Sequence, residues 1–112
     1  MCTLKNNLMS PFSDCYAVIF TSKLKEPHLG YNEMAERMEK LATMQPGFLG
    51  IDSARNDLGI TVSYWKSLED IKLWKANLEH QEAQSLGKEK WYAWYDLKIC
   101  KIERHYSFGN LT

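Results

Sequence analysis

Two strand patterns joined by four turn-forming residues, with a helical pattern and a further strand pattern on either side, leave this 112-residue chain few folds to adopt. The central pair is Phe48 to Arg55 and Ile60 to Trp65, joined by Asn56-Asp57-Leu58-Gly59, residues that supply the positive φ angles of a tight hairpin. Ile60, Val62 and Tyr64 alternate with Thr61, Ser63 and Trp65, the two-residue period of a strand. Upstream, Cys15 to about Leu24 is rich in β-branched and aromatic residues and apolar on both faces, which predicts a strand covered on both sides. Pro27, His28 and Gly30 end it. Tyr31, Met34, Ala35, Met38, Leu41 and Ala42 then recur at three- and four-residue steps, an amphipathic helix stopped by Pro46-Gly47.

Downstream, Ser67 followed by Asp70 resembles a capping box, and it opens a helix that turns Leu68, Ile71 and Trp74 inward. The helix, or a broken continuation of it, runs towards Ser85 and the stop at Leu86-Gly87. Trp91, Trp94 and Tyr95 have helical spacing, which predicts a short turn before a last strand from Leu97 to Tyr106. The order β, α, β, β, α, β is the ferredoxin-like split β-α-β arrangement, an α+β fold with two helices on one face of an antiparallel sheet. The other sheet face is then bare, yet Ala17, Ile19, Tyr64, Leu97, Ile99, Cys100 and Ile102 make neither face of the strands polar. A second copy packed sheet to sheet would bury such a surface and give a dimeric α+β barrel.

Composition removes several function classes. Fourteen basic and fourteen acidic residues give a formal charge of zero, so no broad positive field attracts nucleic acid or an anionic membrane. One domain is expected over residues 15 to 108, with a polar tail, or an arm that packs on a partner, at 1 to 14 and a C-terminal tail at 109 to 112. Cys2, Cys15 and Cys100 are odd in number and widely spaced, which disfavours a disulfide framework or a zinc knuckle and suits a reducing cytoplasm. No apolar run reaches the length of a signal peptide core or a membrane span. Phosphate-binding glycine loops, nucleophile elbows and HExxH metal spacing are absent from the sequence.

Candidate site residues are mostly aromatic. Trp65 and Trp74 fall at the junction of a sheet and the helix that covers it, where flat indoles either wall an apolar pocket or fill a solid core. Tyr64 and Trp91 add aromatic surface nearby. His80 has the chemistry of a general base or ligand, with an exposed helical position as the alternative. Gln84 and Tyr95 carry donors for a carbonyl or phenolate oxygen. His28 and His105 read as surface residues.

The segments Tyr16 to Ser22, Glu33 to Arg37, Gln45 to Gly50, Gly59 to Trp74, Trp91-Tyr92 and Ile102 to Arg104 together resemble the antibiotic biosynthesis monooxygenase domain family, over roughly residues 15 to 108. The resemblance implies a homodimeric α+β barrel. It also implies one of three activities: cofactor-independent oxygenation of a planar aromatic or polyketide-like molecule, non-catalytic or stress-related binding of a hydrophobe, or haem binding and degradation. In the first, His80, Gln84 and Tyr95 would stabilise the substrate anion while Tyr64, Trp65, Trp74 and Trp91 hold its rings, with no metal or flavin. The haem-degrading branch combines an Asn in the first strand, a Trp on the second helix and a His ten residues later. Trp74 matches the Trp, but Gln84 stands where the His belongs and the first strand, Tyr16 to Thr21, lacks an Asn. His80 would sit one helical turn lower, about 6 Å away.

Overall fold

The computed structural model describes residues 12–77 and 90–109. Its elements run β1 (Tyr16–Leu24), α1 (Tyr31–Thr43), β2 (Phe48–Arg55), β3 (Gly59–Trp65), α2 (Leu68–Lys75) and β4 (Tyr92–Lys101). The strands form one sheet in the order β2-β3-β1-β4, each antiparallel to its neighbours. The split β-α-β fold expected from the sequence is therefore the fold observed.

Local chemistry explains where the elements begin and end. α1 starts from Gly30, whose left-handed backbone (φ 87°) turns the chain from the loop into the helix. Beyond α1, Gly47 is again left-handed (φ 82°), and a Cβ there would collide with the Asp70 side chain. Two independent reasons thus require glycine at this corner. α2 is capped as its sequence predicts: the Ser67 hydroxyl accepts from the Asp70 amide at 3.1 Å and donates to the Asp70 carboxylate at 2.9 Å. The helix ends at Lys75 with Ala76 as its cap, and the continuation expected towards Ser85 lies outside the described residues.

Both helices pack on one sheet face around Trp65. Ala42 of α1 and Ile71 and Trp74 of α2 form the buried cluster with it, flanked by Tyr16, Val18, Leu41 and Phe48. The Trp65 and Trp74 rings stack at 6.1 Å and 23°, and Phe48 meets Trp65 edge-on at 5.6 Å. Register assigns the faces. Val18, Phe20 and Ser22 lie with Ser63, Thr61 and Gly59 and with Ile99, Leu97 and Tyr95 beneath the helices. Ala17, Ile19 and Thr21 lie with Tyr64, Val62 and Ile60 and with Cys100, Lys98 and Asp96 on the face away from them.

Two local expectations are corrected. The hairpin loop needs no positive φ: Asn56 N–H donates to Leu58 O at 3.0 Å, and left-handed backbone does not occur at residues 56 to 59. β4 starts at Tyr92 rather than Leu97 and ends at Lys101 rather than Tyr106, although Ile102 still exchanges backbone bonds with Asp14 and Cys15. The three-residue step from Tyr92 to Tyr95 comes from a register shift between Lys23 and Leu24, which leaves Ala93 unpaired and keeps both tyrosines on one face. Among the described residues, Cys100 is a free and exposed cysteine.

Candidate functional site

Between the sheet and the two helices lies a cavity of about 440 Å³, within the range of about 300–1,000 Å³ common for small-molecule sites. Its inner wall is apolar and comes from all three layers: Val18, Trp65 and Leu97 from the sheet, Met34, Met38 and Ala42 from α1, Ile71 and Trp74 from α2. Trp65 and Trp74 thus belong to the core and the cavity wall at once. Trp91 joins the wall beside Phe20, Tyr92 and Tyr95. Its indole N–H donates to Leu29 O at 2.9 Å, while its carbonyl accepts from Lys25 N at 2.9 Å, so it pins the β1–α1 loop to the start of β4.

The outer end of the cavity is polar in a way the sequence reading did not anticipate. Arg55, Gly59, Ser22 and Tyr95 are register partners in one row across all four strands, on the face beneath the helices. Gly59 has no side chain, and the Arg55 guanidinium occupies the space a Cβ would take there. Reaching across that gap, Arg55 Nη2 donates to the hydroxyl of the fully buried Ser22. It also donates to the Tyr31 hydroxyl at 3.3 Å, with the guanidinium carbon 5.3 Å from the Tyr31 ring centre. Among the described residues, no carboxylate pairs with this cation.

Tyrosines surround the guanidinium. Tyr92 meets Tyr31 edge-on at 5.8 Å and Tyr95 at 5.6 Å, and Phe20 closes the group at 5.3 Å from Tyr95. Burial raises the Tyr92 hydroxyl above the usual phenol range, its hydrogen bond with Tyr31 raises it further, and Arg55 opposes the shift. The net shift favours the neutral phenol at Tyr92.

Of the seven residues singled out in the sequence, Trp65, Trp74, Trp91 and Tyr95 line this cavity. His80 and Gln84 lie outside the described residues. Tyr64 points the other way, because its register partner Ala17 belongs to the face away from the helices. There its ring packs 4.8 Å from Phe12 and its hydroxyl donates to Asp52 at 2.7 Å. Desolvation first, and the Asp52 carboxylate second, push the Tyr64 pKa up to about 12.

A phenol whose proton is held more tightly in the folded than the unfolded chain supports stability fully below its ordinary value of 10.0 and loses that support as pH rises towards 12. The melting temperature is accordingly expected to fall over this alkaline window, and less steeply in Tyr64→Phe. Equal slopes in the two proteins would show that the Asp52 contact does not bias the titration.

The histidines outside the cavity have surface roles. His28 Nδ1 lies 3.2 Å from Lys25 O and 3.5 Å from the Glu26 carboxylate, and His105 meets the Phe12 ring edge-on at 5.1 Å. The described residues contain no group of three potential metal-ligating side chains. Among them, no helix is long and apolar enough to cross a membrane.

No protein-family model matches the chain. The Bacillus subtilis protein YqjZ, itself uncharacterised, is 46% identical over 105 residues, covering 92% of each chain. Two solved structures share the fold at low identity. SnoaB, a cofactor-independent oxygenase of Streptomyces nogalater, superposes with a TM-score of 0.67 at 10% identity, over 88% of this chain and 98% of its own. A Nitrosomonas europaea protein proposed to be an antibiotic biosynthesis monooxygenase gives 0.70 at 14% identity, over 80% and 90%.

Proposed function

This chain belongs to one family with YqjZ and has the fold of antibiotic biosynthesis monooxygenase domains, and on that premise we propose that it encloses a planar aromatic or polyketide-like molecule in the cavity between sheet and helices. One observation carries this reading: an apolar cavity of about 440 Å³ lined by Trp65, Trp74 and Trp91 opens at one end onto hydroxyl donors and a cation. Flat indole faces favour a flat ligand, and the polar end orients it.

The chemistry proposed for such a ligand is oxygenation without a resident cofactor. An enolisable substrate such as anthrone loses a proton from its ring methylene, and the resulting anion passes electrons to dioxygen. One oxygen atom becomes the new carbonyl and the other leaves as water, with all four electrons coming from the substrate. The chain's part is to exclude water and to stabilise the anion through donors, with Tyr95 on the cavity wall and His80 and Gln84 proposed alongside it. No flavin or metal takes part.

A second reading, non-catalytic sequestration of the ligand, is favoured by one detail. Glu39 is the only carboxylate among the described lining residues, and no histidine is among them. A base for removing the substrate proton is thus scarce on the wall, whereas binding requires none.

Oxygen uptake separates the two. With anthrone and no added flavin or metal, an oxygenase consumes one O2 per quinone formed, and Tyr95→Phe slows it by about 100-fold or more, the scale of losing a transition-state donor. Saturable quenching of tryptophan fluorescence by anthrone without oxygen uptake would favour sequestration.

The face of the sheet away from the helices we assign to a second copy of the chain. Ile60 and Trp94, large apolar residues placed there by register, are 47% and 44% exposed in the single chain. Burying such groups against their symmetry mates would complete an α+β barrel.

A further inference from the structure

Resting on the reading of the cavity as a ligand site, we infer that Arg55 is its anion anchor, so that the site selects a planar aromatic molecule bearing an anionic oxygen over its neutral counterpart. The placement of this cation is a built feature of the sheet. Arg55 ends the hairpin's first strand, and its register partner across the hairpin is the one residue in that row without a side chain, Gly59. The gap lets the guanidinium pass over β3 and reach β1, where the fully buried Ser22 hydroxyl accepts a hydrogen bond from Nη2. The Tyr31 ring and hydroxyl fix it from the α1 side.

Both of these contacts come through Nη2, and both partners are neutral. The charge itself is left uncompensated by any carboxylate among the described residues, beside a cavity walled by Phe20, Tyr92 and Tyr95. Aromatic walls lower the effective dielectric, which strengthens a cation's attraction for a desolvated anion relative to water. A guanidinium also offers donors in a planar fork that matches a carboxylate or a delocalised enolate edge-on. Tyr95, last in the row, stands next to Ser22 and supplies a further hydroxyl on the cavity wall. A ligand lying along the indoles with its charged edge at this end would meet Arg55 and the tyrosines together.

The test compares two probes of the same shape, anthracene-2-carboxylate and anthracene-2-carboxamide, titrated at pH 7 against the full chain by tryptophan fluorescence. The wild type is expected to bind the carboxylate on the order of tenfold to a hundredfold more tightly, the scale of a hydrogen bond to a charged group. Arg55→Gln removes that preference, so that the two probes bind with similar affinity, and Arg55→Lys retains part of it. Because Arg55 also satisfies the buried Ser22, a second variant keeps the charge: Gly59→Ala places a methyl where the guanidinium lies, at a backbone position any residue can adopt. It is expected to fold, checked by circular dichroism, and to lose most of the preference.

Equal affinity of the wild type for both probes, or an unchanged preference in Arg55→Gln and Gly59→Ala, overturns the anchor and leaves the aromatic cavity standing. Failure of both probes to bind at all overturns the cavity reading and the anchor with it.

Discussion

Trp65→Ala should lower the stability of the folded chain by about 3–5 kcal/mol, the range measured for removing a large aromatic side chain from a core. Trp65 is completely buried, stacks on Trp74, takes the edge of Phe48 and donates from its indole nitrogen to Ser63 Oγ at 2.9 Å. It is also the residue through which β3 meets both helices. Truncation would therefore join a lost transfer term to a void opening into an existing cavity, which the neighbours cannot collapse to fill. Urea denaturation measures the loss. Trp65→Phe, which keeps an aromatic face against Trp74, should cost clearly less. Equal losses in the two would locate the contribution in the indole N–H rather than in the stack.

The second large effect concerns the sheet face away from the helices. The sequence left open whether Ile99 or Cys100 would point there, and register resolves it: Cys100 pairs with Ala17 on the far face, while Ile99 pairs with Val18 beneath the helices. Ile19 lies on the far face in an inner strand, flanked by Val62 and Lys98. If two copies pack through this face, Ile19→Asp buries an unpaired carboxylate in each, at a cost of several kcal/mol per charge. Sedimentation should give a dimer for the wild type and a folded monomer for Ile19→Asp, with Ile19→Val still dimeric. A wild-type monomer, or a dimer that tolerates Ile19→Asp, would contradict the sheet-to-sheet arrangement.

The fold was legible in the sequence because its determinants are local. The Ser67 cap, the stop at Pro46-Gly47, the α1 apolar stripe and the hairpin all act within a few residues, and each lies where its pattern indicates. Lys90 and Trp91 are helical just before β4, as the spacing indicates, but Trp94 and Tyr95 were misleading for an equally local reason. A register shift in the strand pairing reproduces a three-residue step, and spacing alone does not distinguish a bulged strand from a helical turn.

The aromatic part of the site was also readable, since tryptophans at a strand–helix junction have few places to go. Its polar end was not. Arg55 and Ser22 are 33 residues apart, and only the pairing of three strands brings them together across Gly59. One signal was available: the short loop after Arg55 makes Gly59 its cross-strand partner, and a glycine facing an arginine on the inner side of a sheet leaves room for that side chain to cross. Tyr64 illustrates the converse. Adjacent to Trp65 in sequence, it must lie on the other face of the strand, where Asp52 and Phe12 engage it.

Whether the cavity beneath the helices receives a planar ligand is decided most directly by a crystal structure of the full chain grown with anthraquinone. The expected result is a ligand lying between sheet and helices, in contact with Trp74 and Trp91 and with one oxygen edge directed at Arg55 and Tyr95. Side chains filling that space, with no ligand bound, would contradict it.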